Sequence, residues 1–277
     1  MDKVKLDEIG YWSEIKLEII EKYAKAYSTI ITKKDFIKGH IYIDGFSGAG
    51  VHISKKTKEI VSGSPLNALK IQPSFSEYHF VDLDSKKVNV LRKLCENKTN
   101  VQIYEGDCNE ILLKKVFPRA RFDDFKRALC LLDPYGLHLN WEVIYAAGQM
   151  GSIEIFLNFP IMDMNMNVLK HDRNKVAAEQ IERMNSFWGD NSWEGAAYTR
   201  EQGLFEQINE KTGNKTLADT FKKRLEKKAG FGFVPDPIPM RNTNGAIIYY
   251  LFFATPNKTA HKIVTQIFDK NRDRGKI

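Results

Sequence analysis

Cysteine is scarce. The 277 residues hold three, Cys95, Cys108 and Cys130, in no C-x-x-C or Cys/His ligand spacing. That argues against a disulfide framework and against a zinc site, so no metal is expected, and a reducing compartment is the simpler reading. The six histidines show no ligand pairing either, and only His138 falls where a pocket is expected. Long apolar runs are missing too: the longest, Ile247 to Ala254, is far below the ~20 residues that cross a bilayer. The first thirty residues carry Asp2, Asp7, Glu8, Glu14, Glu18 and Glu21 among lysines, which no secretory signal or acid-poor transit peptide does. There is no internal repeat and no low-complexity linker. A soluble, cytoplasmic protein is the expectation.

What is present is the composition of an ordinary folded chain, 43% hydrophobic and 28% charged, with enough length for one large α/β domain. Lys+Arg 42 against Asp+Glu 35 gives a net charge of +7 and a pI near 9.1, which suits a polyanionic partner without requiring one.

Ile15, Ile19, Ile20, Tyr23, Ala24, Tyr27 and Ile30 recur at three- and four-residue spacing, which predicts an amphipathic helix over 13–30. Strand-like runs at 40–46, 78–83, 101–104, 128–132 and 153–159 then alternate with helical patterns at 64–72, 86–96, 109–116 and 141–149. Such alternation implies parallel β-α-β units in a doubly wound α/β sheet, and continuous apolar strands imply helices on both faces. From Met162 to Lys228 the sequence is polar and helical in period, with no strand-like run; Gly232–Met240 and Ala246–Ala254 flank an Asn-Gly turn and predict a hairpin. A helix over 258–270 closes the chain. The expected organisation is one domain over 1–277: an N-terminal helical extension (1–39), a cofactor-binding core (40–160), a helical insertion (161–230) and a C-terminal hairpin and helix (231–277).

The first core strand runs into Asp44-Gly45-Phe46-Ser47-Gly48-Ala49-Gly50. Glycines at a strand's carboxyl end permit positive φ and close approach of backbone to a ligand, although such turns also arise from packing. Asp44 would repel a pyrophosphate and suits a cationic ligand such as the sulfonium and ammonium of S-adenosylmethionine. Asp82, ending the second strand, is placed to accept from ribose hydroxyls. It lies farther from the glycines than in a simple dinucleotide fold, the excess being a polar insertion, Val51–Ser62. Ser64 at N-cap with Pro65 at N1 predicts a helix start, whose amides could face the cofactor's carboxylate. Asp107, ending the third strand, can accept from an adenine amine or cap the next helix.

The fourth strand ends Asp133-Pro134-Tyr135-Gly136. A carboxylate and a prolyl carbonyl can accept from an amine while an aromatic ring stacks on its flat carrier, and methyl transfer to such an amine depends on aim more than on a strong base. An Asp-Pro turn that only ends a strand is the plainer alternative. Asn158-Phe159-Pro160 closes the fifth strand on the same edge.

In this order, Asp44–Gly50, Gly63-Ser64-Pro65, Phe80-Val81-Asp82, Gly106-Asp107, Asp133-Pro134-Tyr135-Gly136 and Asn158-Phe159-Pro160 resemble the three-Cys-motif partner protein (TcmP) family. Trp12-Ser13 through Lys16 and Tyr27, and Phe187-Trp188-Gly189-Asp190, extend the resemblance over nearly the whole chain. It implies a class I S-adenosylmethionine-dependent methyltransferase fold with a seven-stranded Rossmann-like sheet in the order 3-2-1-4-5-7-6. Carried over, Asp44, Gly45, Phe46, Gly48, Gly50, Ser64, Asp82 and Asp107 would bind the cofactor, and Asp133, Pro134 and Tyr135 would carry the chemistry. The first half is also similar to ribosomal RNA adenine methyltransferases of the RlmJ type, which have D-P-P-Y where this chain has D-P-Y-G, a departure that puts adenine as substrate in doubt.

The leading reading is therefore a methyltransferase acting on an amine of a nucleobase; the alternative is a cofactor-binding partner module of a three-Cys-motif (radical-SAM-like) protein with little turnover. A nicotinamide enzyme is disfavoured by Asp44 and by the insertion. Basic clusters at Lys55-Lys56-Lys58, Lys114-Lys115 with Arg119-Arg121, Lys126-Arg127 and Lys222–Lys228 are ordinary solvated faces by default and a phosphate-tracking rim if they converge. Packing is expected for Tyr42, Phe75, Trp188 and Trp193. With Asp44, Asp82, Asp107 and Asp133 at the cofactor edge, the basic surplus is expected elsewhere.

Overall fold

The structure is a computed structural model that describes residues 6–170, 175–202, 207–242, 244–272 and 274. In chain order its elements begin with β1 (Glu8–Ile9), α1 (Tyr11–Ile31), β2 (Gly39–Asp44), β3 (Val51–Ser54), β4 (Ile60–Ser62), α2 (Ser64–Leu69), β5 (Glu77–Asp82) and α3 (Ser85–Leu94). There follow β6 (Val101–Glu105), α4 (Cys108–Ile111) with a π-helical turn at Leu112–Val116, β7 (Lys126–Leu132), α5 (Trp141–Met150) and β8 (Ile153–Phe159). The remainder comprises α6 (Ile161–Asn167), α7 (Ala178–Trp188), α8 (Trp193–Ala197), β9 (Tyr198–Gln202), β10 (Gln207–Lys211), α9 (Asn214–Lys227), β11 (Ile238–Arg241), β12 (Ile247–Ala254) and α10 (Lys258–Asn271).

Seven strands form one sheet in the order β6-β5-β2-β7-β8-β12-β11, which is 3-2-1-4-5-7-6 when its strands are counted along the chain. The first five are parallel, and β12 and β11 close the edge antiparallel. Alternate residues feed two cores. Ile41, Ile43, Cys130 and Leu157 face a layer that includes α5, α7 and α9, while Tyr42, Leu129, Leu131 and Phe156 face α1 and α10. All seven residues of β8 are buried, as expected of a strand covered on both faces. Tyr42, Phe75, Trp188 and Trp193 are core residues.

Several expectations need correction. The polar insertion Val51–Ser62 folds as a hairpin of β3 and β4, and β1 adds to β3 in parallel, so the N-terminal extension, expected to be helical, contributes a strand as well as a helix. The 161–230 insertion is not wholly helical, because β9 and β10 pair as an antiparallel hairpin. Polar sequence hid both hairpins, since strands held by ladder bonds at a surface need no apolar run. Thr243 of the terminal turn lies outside the described residues, but Gly245 has φ 79° and its amide donates to the Asn242 carbonyl at 3.0 Å.

Candidate active site at the carboxyl edge of the sheet

The chain leaves β2 toward β5 and β6 on one side and returns to β7 and β8 on the other. Their carboxyl ends splay at this switch in strand order, where open α/β sheets bind ligands. A cavity of about 750 Å³ lies here. Its walls include Phe46, Gly48 and Ser64 on one side, Asp133, Pro134 and Tyr135 on another, and Asn158 at the end of β8.

The glycine loop is pinned to β5. Ser47 donates its amide to the Val81 carbonyl at 2.9 Å, and the Gly48 amide donates to Asp82 Oδ2 at 2.7 Å. Gly48 has φ 60°, and a Cβ there would meet nothing within 4 Å, so this backbone is open to a ligand. Gly45 and Gly50 are needed for packing: a Cβ on Gly45 would sit 3.3 Å from Leu112 and Leu132, and one on Gly50 2.7 Å from Leu91.

Asp44 is fully buried. It accepts from Ser64 Oγ at 2.6 Å and from the Phe46 amide at 3.2 Å. Burial pushes its carboxyl up to about 7, against the lowering by Ser64 and Phe46 and with added repulsion from Asp133 and Asp82. Asp44 thus stands behind Ser64 and does not line the cavity. Ser64 is the first residue of α2 and Gly63 its N-cap, which corrects the predicted N-cap: the hydroxyl is drawn to Asp44 instead. Asp82 and Asp107 lie outside the cavity, at the ends of neighbouring strands. Asp82 also accepts from the Asp84 amide at 2.9 Å, and Asp107 caps α4 by accepting from the Asn109 amide at 2.8 Å.

Lys16 is the main residue the sequence reading passed over. It projects from α1 into the cavity wall and forms an ion pair with Asp133 Oδ2, its Nζ 5.4 Å from the Tyr249 ring centroid. Burial disfavours the ammonium, but Asp133 and Tyr249 raise its pKa above the ordinary lysine value. The signal was present: Lys16 falls among Trp12, Ile15, Ile19 and Ile20 on the apolar face of its helix, where a lysine needs a partner.

The N-terminal segment crosses the cavity mouth. Asp7 accepts from Lys87 Nζ at 2.6 Å and from Tyr135 Oη at 3.0 Å, and Lys87 lies 5.4 Å from the Tyr135 ring centroid. The edge expected to be acidic also carries Lys16 and Lys87, each paired with an aspartate, and the cavity-lining Lys55. His52 on β3 lines this cavity, with burial holding its imidazole below the ordinary pKa. His138 is absent from the walls, its Nε2 lying 3.1 Å from Arg183 Nη2.

Gly136 has φ 57°, and a Cβ there would lie 2.9 Å from Asp163 Oδ2. At the position that carries an aromatic in D-P-P-Y, a side chain here would be strained by the positive φ and would have to displace Asp163. Tyr135 is 65% exposed, leaving its ring accessible at the cavity wall. Asn158, 9% exposed, lines the cavity, and its Oδ1 is buried with no hydrogen-bond partner among the described residues.

The sheet order together with this switch-point site defines the Rossmann-like fold of class I methyltransferases. A scan against protein-family models finds no match, and a search of curated proteins finds none. Among solved structures the chain is similar to protein LPL1258 from Legionella pneumophila str. Philadelphia 1, described by family-model DUF519, at 11% identity and a TM-score of 0.51 over 93% of this chain and 91% of that one. More distant likenesses are a dimethyladenosine transferase from Plasmodium falciparum, at 12% identity and a TM-score of 0.37 over 88% of this chain and 62% of that one, and the methyltransferase domain of bacterial CtHen1-CN, at 10% identity and a TM-score of 0.39 over 85% and 99%. Among the described residues no helix is long and apolar enough to cross a membrane.

Proposed function

We propose that the chain is a cytoplasmic S-adenosylmethionine-dependent methyltransferase acting on an amine of a nucleobase in nucleic acid. The observation that carries this reading is one open cavity walled on one side by the Gly48 loop and Ser64 and on the other by Asp133-Pro134-Tyr135. The cofactor suits the residues present. Gly48 offers open backbone, Asn158 a free acceptor, and Ser64 a hydroxyl backed by Asp44. Phe46, Gly48 and Ser64 would hold its amino-acid half, and Asp82 and Asp107 its ribose and adenine. When bound, the cofactor supplies a methyl group on sulfonium for in-line transfer. This chain's task is aim: Asp133 and the Pro134 carbonyl accept from the amine, the Tyr135 ring holds its flat carrier, and the strap through Asp7 limits water. The basic loops, Lys55 at the cavity mouth among them, would track phosphates.

One observation favours the second reading, a partner module of a three-Cys-motif protein related to the TcmP family. Lys16 already engages Asp133 Oδ2, so an incoming amine is left Oδ1 or must share Oδ2. Incubation with methyl-labelled S-adenosylmethionine and bulk RNA or DNA separates the two. Label in nucleic acid that disappears in Asp133→Ala supports the enzyme; cofactor binding without label in either pool supports the partner module.

A further inference from the structure

A second cavity, of about 380 Å³, opens at the opposite edge of the sheet, where β7 and β8 begin and β12 ends. It is far from the glycine loop, and nothing in the proposed methyl transfer uses it. Its size is at the lower end of ligand sites.

Three cations line it: Lys34 after α1, Arg127 on β7 and Lys258 at the first turn of α10. Among the described residues none of them makes an ion pair. Arg127 donates only to the backbone carbonyls of Phe122 and Lys126. The one acid in the wall, Glu154, accepts from Tyr23 and is pushed by burial up to about 7, so three cations face at most one anion. The 14-residue α10 presents its amino end to the same space. Asn257 already takes the Thr259 and Ala260 amides at 2.8 and 3.3 Å, so the helix contributes its dipole and not free N–H groups.

Two aromatic rings stand in the wall unusually bare, Phe36 at 57% and Phe122 at 52% exposure. The Arg127 guanidinium carbon lies 3.8 Å from the Phe122 ring centroid, which makes a flat shelf of cation and ring. An independent sign of a missing ligand is Tyr27. It is 4% exposed, lines this cavity beside Glu154 and Arg127, and its hydroxyl has no hydrogen-bond partner. A buried hydroxyl left unpaired is unfavourable, and a ligand in the cavity would give it a partner.

We propose that this cavity binds a nucleoside monophosphate, either free or as the 5′ end of a nucleic-acid strand. The phosphate meets Lys34, Lys258 and the α10 dipole, and the base lies on the Phe122–Arg127 shelf opposite Phe36. A carboxylate metabolite would use the cations but leave the shelf empty; a neutral aromatic would do the reverse.

Calorimetric titration of the full chain with cytidine 5′-monophosphate, cytidine, and a DNA hexamer with and without a 5′-phosphate tests this. The nucleotide binds at least tenfold more tightly than the nucleoside. Lys34→Glu/Lys258→Glu weakens it at least tenfold, Phe122→Ala and Tyr27→Phe each weaken it several-fold, and Asp44→Asn, buried behind the first cavity, leaves it at the wild-type level. A phosphorylated hexamer that outbinds both its unphosphorylated form and the mononucleotide identifies a strand end; a hexamer that does not identifies a free nucleotide. The proposal is overturned if no probe binds, if Lys34→Glu/Lys258→Glu binds as the wild type does, or if Asp44→Asn abolishes binding. Tyr27→Phe removes one oxygen from an intact core, so its result does not depend on the charge reversals folding well.

Discussion

Lys16 and Asp133, 117 residues apart in sequence, meet as an ion pair that ties α1 to the carboxyl end of β7. The two ends of the pair are unequal: the Lys16 side chain is 9% exposed and that of Asp133 27%. Removing the carboxylate strands a buried ammonium, whereas removing the ammonium leaves a carboxylate that water can reach.

Asp133→Ala is therefore expected to cost more stability than Lys16→Met, which also keeps the packing of the lysine stem. Removing one partner of a buried pair so that the other is left as an uncompensated buried charge costs about 3–5 kcal/mol. Urea unfolding of both variants checks the order, and a Lys16→Met that is the more damaged of the two contradicts it.

Asp44 links the site to pH. Its carboxyl stands at about 7 in the folded protein against 3.8 for an ordinary aspartate, mainly through burial. Between those values the folded state holds a proton that the unfolded chain has lost, so the stabilisation is full below about 4 and is lost as pH rises through 7. Glu154, also raised by burial to about 7, adds to the same slope. Asp44→Asn is expected to flatten the decline and to be more stable than the wild type at pH 8, while losing cofactor affinity. Thermal melts from pH 5 to 8 test this; an unchanged slope in Asp44→Asn contradicts it.

The Gly136 position supports a steric prediction. Gly136→Ala places a Cβ 2.9 Å from Asp163 Oδ2 at φ 57°, and strain of this kind costs on the order of 1–3 kcal/mol. Asp163→Gly in the same chain is expected to return the steric part and leave the backbone part. If Gly136→Ala unfolds at the same denaturant concentration as the wild type, strain at this position is not what excludes the aromatic.

The strap over the cavity hangs on Asp7. Tyr135→Phe with Lys87→Ala removes both of its donors; the Asp7–Lys87 pair keeps solvent contact, at 36% and 15% side-chain exposure, and is worth on the order of 1 kcal/mol. Hydrogen exchange is expected to speed up at residues 6–10 with global stability nearly unchanged; protection retained there would show that the ladder with β3 holds the strap alone.

Much of this was legible from apolar pattern. The five parallel strands and the closing hairpin come from runs that must be buried on both faces, and Asp44, Asp82, Asp107 and Asp133 fall at strand ends, where the ladder stops and side chains reach the edge. What was hidden was held by polar contacts across long sequence separations. The hairpins at 51–62 and 198–211 have no apolar period. Asp7, Lys16 and Tyr249 reach the site only through the docking of β1, α1 and β12, and Lys87 joins them from α3. Ser64 was misplaced because the cap pattern is local, whereas its hydroxyl answers to Asp44, 20 residues earlier.

The central claim is that the Gly48 loop and its acidic supports bind S-adenosylmethionine. Calorimetric titration of that cofactor into the wild type, Ser64→Ala and Asp82→Ala tests it most directly. The account predicts one-to-one binding to the wild type, weakened at least tenfold in Asp82→Ala, which frees the Gly48 amide and removes the ribose acceptor, and weakened less in Ser64→Ala. No binding to the wild type, or equal affinity in all three, would contradict it.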